Sequence, residues 1–324
     1  MIDTETLFIL GSGSSKPYDF PTDAELQQRI ISDFENDYNR LPYTFDLDSD
    51  NTKFDMGIRT YEAKDFIKGL KSTQGIATID ELISLNKRYE FIGKIAIQNY
   101  LLEYERNYSE KRDKDYISDW FELVLRKLLK ECIEQRNPSF LELNNINFLT
   151  FNYDRLLEYL FINQFTNLFS ELLNDNINKH QVDFFLYKII HVYGALGYLP
   201  RRKDGSHTEV EFGEKITTYE RIKETLQNIR LIKDGFKDYD RISKKLYYAK
   251  KIYFLGVGYI EKNMKMLELH HNLNFNDPPQ IYGTALGKEK EINEIIKKYF
   301  TFNKEIPKPI IEAISCKDLI EKHI

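Results

Sequence analysis

Thr150-Phe151-Asn152-Tyr153-Asp154 follows the apolar run Ile146–Leu149 and leads into a second, amphipathic run, Leu156 to Phe165. The first run is short and has the character of a buried strand; the second has the period of a helix. The pattern predicts strand, polar turn, helix. In a parallel α/β sheet the carboxyl end of a strand is where ligands bind. Thr150, Asn152 and Asp154 are then three small polar groups delivered to a crevice. The same residues also suit a plain helix start capped by Asn152 or Asp154.

The motif repeats along the chain. Leu7–Leu10 is an apolar run ending in Gly11-Ser12-Gly13-Ser14-Ser15, which predicts a buried first strand and a tight turn. Lys188–Val192 leads into His191 to Gly194, Ile252–Leu255 into Gly256-Val257-Gly258, and Ile281–Thr284 contains Gly283. Glycine after a strand lets a backbone approach a ligand closely, and a turn feeding a helix offers N–H groups to phosphate. Several such turns at one end of one sheet point to a nucleotide.

Between the first strand and Ile146 the period is helical. Thr22-Asp23-Ala24-Glu25 and Thr78-Ile79-Asp80-Glu81 are capping boxes. Ile117, Trp120, Phe121, Val124, Leu125, Leu128 and Cys132 recur on one helical face. Residues 31–144 read as a helical insertion into an α/β core, with Asn137-Pro138 marking its end. A polar loop is expected over 200–214 and a helix from about Tyr219 to Lys233.

Composition removes several classes. The net charge of −5 and pI near 5.8 give no electrostatic case for direct nucleic-acid binding. The lysines of 244–251 and 297–298 lie among acids and apolar residues and read as solvated helix faces. Two cysteines, Cys132 and Cys316, cannot build a zinc ribbon. Asp46, Asp48 and Asp50 match the first ligand positions of an EF-hand loop. Asn51 and Gly57 stand where that loop needs glycine and glutamate, so a surface loop is expected. Lys16 replaces the third glycine of a GxGxxG fingerprint, and there is no P-loop. No metal is called for. An acidic N-terminus and the lack of a long apolar run lead us to expect a soluble, cytoplasmic protein with no membrane span.

These residues together resemble the sirtuin superfamily, and within it the bacterial sirtuin-like NAD-consuming proteins. Gly11-Ser12-Gly13-Ser14-Ser15 with Phe20-Pro21-Thr22 is similar to the sirtuin glycine–alanine–glycine–x–serine loop and its proline. Thr150–Asp154 is similar to the family's Thr-Gln-Asn-Ile-Asp segment. His191-Val192-Tyr193-Gly194 falls at the His-Gly motif, and Phe254–Tyr259 at the glycine strand end that contacts the adenosine ribose. The resemblance spans residues 5–30 and about 145–290, with a weaker likeness over Thr78–Leu85. Two departures stand out. The four zinc cysteines of deacylase members are missing, which disfavours protein deacylation. Tyr193 also occupies the position before glycine where the family has its histidine.

The resemblance implies a Rossmann-like parallel sheet core over 1–30 and 145–324, with 31–144 as an inserted α-helical domain. It implies NAD+ as substrate, cleaved to nicotinamide and either ADP-ribose or a cyclic product, in the manner of the NAD-destroying anti-phage effectors. The site residues expected are Asn152, His191 and Tyr193 for chemistry. Gly11, Ser12, Gly13, Ser14, Ser15, Pro21, Thr22, Thr150, Asp154, Gly194, Gly256, Gly258 and Gly283 are expected to bind NAD+. Asn152 suits orienting a water or ribose hydroxyl. His191 suits a general base, and if the strand ran on through Tyr193 the two side chains would share a side roughly 6–7 Å apart. Asp154 would bond a ribose hydroxyl or hold the turn. The implied partners are a second copy of the chain, a ring-shaped ATPase translocase, or a phage-derived trigger. A non-catalytic NAD or ADP-ribose binding module is the alternative, and Tyr193 is the feature that favours it.

Overall fold

The computed structural model describes residues 1–36, 44–45, 58–111, 119–170, 175–200, 208–231, 234 and 238–324. Asp46, Asp48 and Asp50 lie outside the described residues. Six short strands form one all-parallel sheet: β1 (Thr6–Leu10), β4 (Ile146–Thr150), β5 (Ile189–His191), β6 (Lys251–Leu255), β7 (Gln280–Thr284) and β8 (Ile310–Glu312). A separate pair, β2 (Thr44–Phe45) and β3 (Ile58–Arg59), also runs parallel.

The large sheet has the order β5-β4-β1-β6-β7-β8. Counted along the chain, that is third, second, first, fourth, fifth, sixth, the doubly wound Rossmann-like order. The order reverses between β1 and β6, so the turns after these strands and after β4 flank the switch point. All five residues of β1 and of β4 are buried, with Thr6, Asn147 and Thr150 as polar members among otherwise apolar side chains.

Alternate side chains face two helical layers. On one face Phe148, Phe8, Tyr253 and Tyr282 stack across four adjacent strands at centroid separations of 5.3, 5.1 and 4.8 Å. That face is covered by α5 (Trp120–Glu134), α6 (Leu156–Phe169), α7 (Asp175–Tyr187) and α13 (Cys316–His323). On the other, Leu7, Ile9, Leu149, Ile252 and Phe254 share one buried cluster with α1 (Asp23–Asn36), α2 (Thr60–Thr73), α3 (Ile79–Leu85) and α4 (Glu90–Lys111). The same cluster reaches α8 (Tyr219–Leu226), α9 (Tyr239–Tyr248), α10 (Glu261–Met266), α11 (Leu269–Asn272) and α12 (Ile292–Tyr299). Residues 60–111 therefore bury their apolar faces directly on the sheet side, while α5 packs on the opposite face.

Both capping boxes form. Thr22 and Glu25 exchange backbone and side-chain bonds at the start of α1, and Thr78 and Glu81 do so at α3. The expected helix from Tyr219 stops at Leu226. Ile229 is drawn instead into an antiparallel bridge with Gly194, and that pairing ends the helix early. The segment expected as a polar loop carries a core residue, because Val210 is fully buried. Strand β8 and helix α13 had no counterpart in the sequence reading. Among the described residues no helix is long and apolar enough to cross a membrane.

Candidate functional site

The turn after β1 and the turn after β4 lie side by side because their strands are neighbours in register, Leu10 opposite Thr150. The Asn152 side-chain Nδ2 donates to Gly11 O and to Ser15 Oγ, each at 3.2 Å. Its backbone N–H donates to Thr150 Oγ1 at 3.0 Å. Asn152 Oδ1 accepts nothing from any described residue. Ser15 Oγ then donates to Asp154, 3.2 Å from Oδ2, so Asn152, Ser15 and Asp154 form one chain of hydrogen bonds. Burial pushes the Asp154 carboxyl up to about 7, against a partial counter-effect from the Leu156 N–H at the start of α6. A carboxyl poised there can take or give a proton at neutral pH.

A small cleft of about 20 Å3 is lined by Ser14, Ser15, Asn152, Asp154, Glu158 and His191, with Trp120 and Phe121 among its apolar walls. His191 Nδ1 lies 2.9 Å from Asn152 O, and Nε2 lies 2.6 Å from Glu158 Oε1. Burial alone would lower the imidazole pKa, but the Glu158 carboxylate more than offsets this and the net direction is up. The ring bridges the Asn152 carbonyl and the Glu158 carboxylate, with both nitrogens committed.

Tyr193 goes elsewhere. Strand β5 ends at His191, and Val192-Tyr193 turn. The same-side expectation for His191 and Tyr193 therefore fails: Tyr193 joins the buried cluster on the opposite face of the sheet. Its hydroxyl donates to Asn263 Oδ1 at 2.6 Å and approaches Met266 Sδ. Burial, with Asp80 and Asp23 adding, drives its pKa far above the ordinary phenol value.

On this second side Ser12, Asp23, Asp80, Tyr153 and Tyr193 gather. The Ser12 hydroxyl lies beside the Asp23 carboxyl and lowers its pKa in part. Asp23 is exposed by area, yet protein crowds around it and raises its pKa, as expected on a concave wall. Tyr153 donates to Asp80 at 2.7 Å. Burial pushes Asp80 up to about 7; the Tyr153 bond opposes this, and Asp23 reinforces it.

The glycine turns pack against each other. A Cβ on Gly11 would stand 2.6 Å from Gly256 O and 2.8 Å from Val257 Cα. The two turns touch backbone to backbone, and Gly13 and Gly256 meet at the same seam. The N–H groups of Gly11, Gly13, Ser14 and Ser15 are spent on Leu255 O, Gly256 O, Gly11 O and Ser12 O. Ser14 Oγ also returns to Gly11 O. In contrast, the amides of Val257, Gly258 and Tyr259 have no protein acceptor among the described residues. Gly283 makes room for the Tyr259 ring, Pro21 is buried, and Thr22 caps α1. Gly194 sits in the bridge to Ile229.

Three participants escaped the sequence reading: Glu158, Asp80 and Tyr153. Glu158 lies four residues after Asp154, a helical spacing that places it above the turn. Nothing in sequence pairs Asp80 with Tyr153. Among the described residues no group of three or more His, Cys, Asp or Glu is placed to hold a metal ion. No family model and no curated protein sequence matches this chain.

Proposed function

We propose that this protein is an NAD+ glycohydrolase, cleaving NAD+ with water to nicotinamide, ADP-ribose and a proton. The observation that carries this reading is the Asn152 amide: its two donors are fixed by the β1 turn and its Oδ1 is left as an acceptor at the sheet's switch point. An acceptor so held can orient a water or a ribose hydroxyl. Nicotinamide leaves as a neutral base, so the demand is for stabilising an oxocarbenium-like centre rather than for acid catalysis. The Asp154 carboxyl, bonded through Ser15 to Asn152, suits taking the water's proton near neutral pH. His191 then acts by holding the Asn152 carbonyl, and Tyr193 by tying its own turn to Asn263 of α10. The free amides of 257–259 suit the diphosphate better than the spent amides of the first turn.

The resemblance to sirtuin-like NAD-destroying effectors supports the same reading and extends it to anti-phage defence in the cytoplasm. Unrestrained NAD+ loss is toxic, so gating by self-assembly, by a ring-shaped ATPase translocase or by a phage-derived trigger belongs to the proposal. A second reading, a non-catalytic NAD or ADP-ribose binding module, is favoured by one observation: both His191 nitrogens and the Tyr193 hydroxyl are already bonded within the protein.

Nicotinamide release from NAD+, followed by chromatography for the wild type and Asn152→Ala, tests the proposal. Release by the wild type alone supports cleavage. Equal release by a folded Asn152→Ala protein overturns it. NAD+ binding without release supports the second reading.

A further inference from the structure

Tyr153 ties four segments together. Its carbonyl accepts from Leu196 N at 3.1 Å. Its hydroxyl lies 2.7 Å from Asp80 Oδ1 and 2.9 Å from Arg230 O. Arg230 in turn donates its backbone N–H to Tyr193 O at 2.8 Å and a guanidinium N–H to His191 O at 3.2 Å. The turn that carries Asn152, the turn that carries Tyr193, the strand-like segment around Arg230 and helix α3 are thus joined through Tyr153 and Arg230.

Asp80 is the contribution of the helical segment to this knot. It stands in the first turn of α3, whose N-terminus is already satisfied by the Thr78–Glu81 capping box. The helix has no need of a further acid there. The charged groups that act most strongly on Asp80 are Asp23 from α1 and Glu81 from its own helix, which raise its pKa, and Lys262 from α10, which lowers it. A carboxylate kept in such surroundings, on a rigid helix start and aimed at a motif tyrosine, has the marks of a functional rather than a stabilising group.

The phenol has one proton and two acceptors. An ionised Asp80 takes it, because a charge-assisted bond outcompetes a peptide carbonyl. Without Asp80 the proton turns to Arg230 O, and α3 is uncoupled from the turn. We propose that Asp80 is a positioning residue: by accepting the Tyr153 hydroxyl it fixes the Phe151–Asp154 turn, and with it the Asn152 amide, for the cleavage of NAD+. This rests on the glycohydrolase reading, and it makes the helical segment a working part of the site.

The test uses the full chain with Asp80→Asn, Asp80→Ala, Tyr153→Phe and the double variant Asp80→Ala/Tyr153→Phe. Two quantities are read: kcat and KM for nicotinamide release from NAD+, and amide hydrogen exchange over residues 151–156. Asp80→Ala and Tyr153→Phe each lower kcat between about tenfold and a hundredfold with KM little changed. The double variant is no worse than either single one. Asp80→Asn, which keeps an acceptor oxygen, restores most of kcat and the turn's protection, whereas Asp80→Ala and Tyr153→Phe raise exchange in the turn. Multiplicative losses in the double variant, or unchanged protection in Asp80→Ala, overturn the positioning role. If the wild type releases no nicotinamide, the cleavage reading fails by itself, and the exchange measurement still decides whether Asp80 holds the turn.

Discussion

His191 Nε2 stands 2.6 Å from Glu158 Oε1, and the same ring's Nδ1 reaches Asn152 O at 2.9 Å. One imidazole ring thereby joins the end of β5, the first turn of α6 and the turn that carries the Asn152 amide. Its side chain and that of Glu158 are each only 9% exposed, so solvent does little to screen the pair. The folded pKa of His191 is raised above its unfolded value. Its contribution to stability is therefore complete below about pH 6.5 and is lost as pH rises through the raised folded value. The stability difference between wild type and His191→Asn, from urea midpoints between pH 5.5 and 9, should be largest at the acid end and shrink toward the alkaline end. A difference that grows with pH would mean that the ring is neutral in the fold.

Asp154 should oppose stability once ionised. Its folded pKa of about 7 exceeds the unfolded value near 3.9, so its contribution is complete below about pH 3.9 and lost as pH rises through 7. Asp154→Asn keeps an acceptor for Ser15 and for Leu156 N and removes the charge. At pH 8 it should be more stable than the wild type by about 1–3 kcal/mol, while nicotinamide release falls. Thermal unfolding at pH 8 reads the first effect. A less stable Asp154→Asn protein at that pH would contradict the penalty assigned to the carboxylate.

Glu105 and Arg155 form a pair that water does not reach, with side-chain exposures of 0% and 1%. Arg155 Nε and its backbone N–H both bond Glu105 Oε1 at 3.1 Å, while Gly213 N bonds Oε2 at 3.0 Å. Arg155 Nη1 donates to Val210 O, and Nη2 donates to Glu211 O and to Glu105 Oε2. Glu105→Ala strands the arginine and should cost about 3–5 kcal/mol in denaturant unfolding. Glu105→Leu combined with Arg155→Met should recover much of that loss. A small loss for Glu105→Ala would mean that water enters and replaces the carboxylate.

Gly194 and Gly287 provide a matched comparison. Both have a left-handed backbone, at φ of +72° and +76°. A Cβ on Gly194 would fall 1.9 Å from Asn228 O, whereas one on Gly287 would meet nothing within 4 Å. Gly287→Ala should cost about 1–2 kcal/mol, the left-handed strain alone. Gly194→Ala should cost more than about 4 kcal/mol or prevent folding, because the bridge to Ile229 must open. Comparable melting temperatures for the two variants would show that the bridge is dispensable.

The strand ends were legible because a buried parallel strand is a short apolar run stopped by glycine or polar residues, and Ile146–Thr150 and Lys251–Leu255 obey that rule. The capping boxes were legible because their partners are three residues apart. Strand β8 was not, since Ile310–Glu312 is only three residues long and follows two prolines. The Tyr219 helix was overextended because its continuation is apolar enough for a helix but is claimed by Gly194.

The sequence by itself determined an α/β chain whose polar turns follow apolar strands, and it singled out Asn152, His191, Asp154 and the glycine turns, since local period and residue type set these. Tertiary structure alone decided the strand order, and with it which turns touch. It also decided that Gly11 packs on Gly256, that His191 is bonded at both nitrogens, and that Tyr153 reaches Asp80. The reason is separation along the chain. Asn152 and His191 are 39 residues apart, Glu158 and His191 33, Glu105 and Arg155 50, and Asp80 and Tyr153 73. No local pattern encodes such partners; hydrogen bonds that buried groups must satisfy select them only once the sheet has closed.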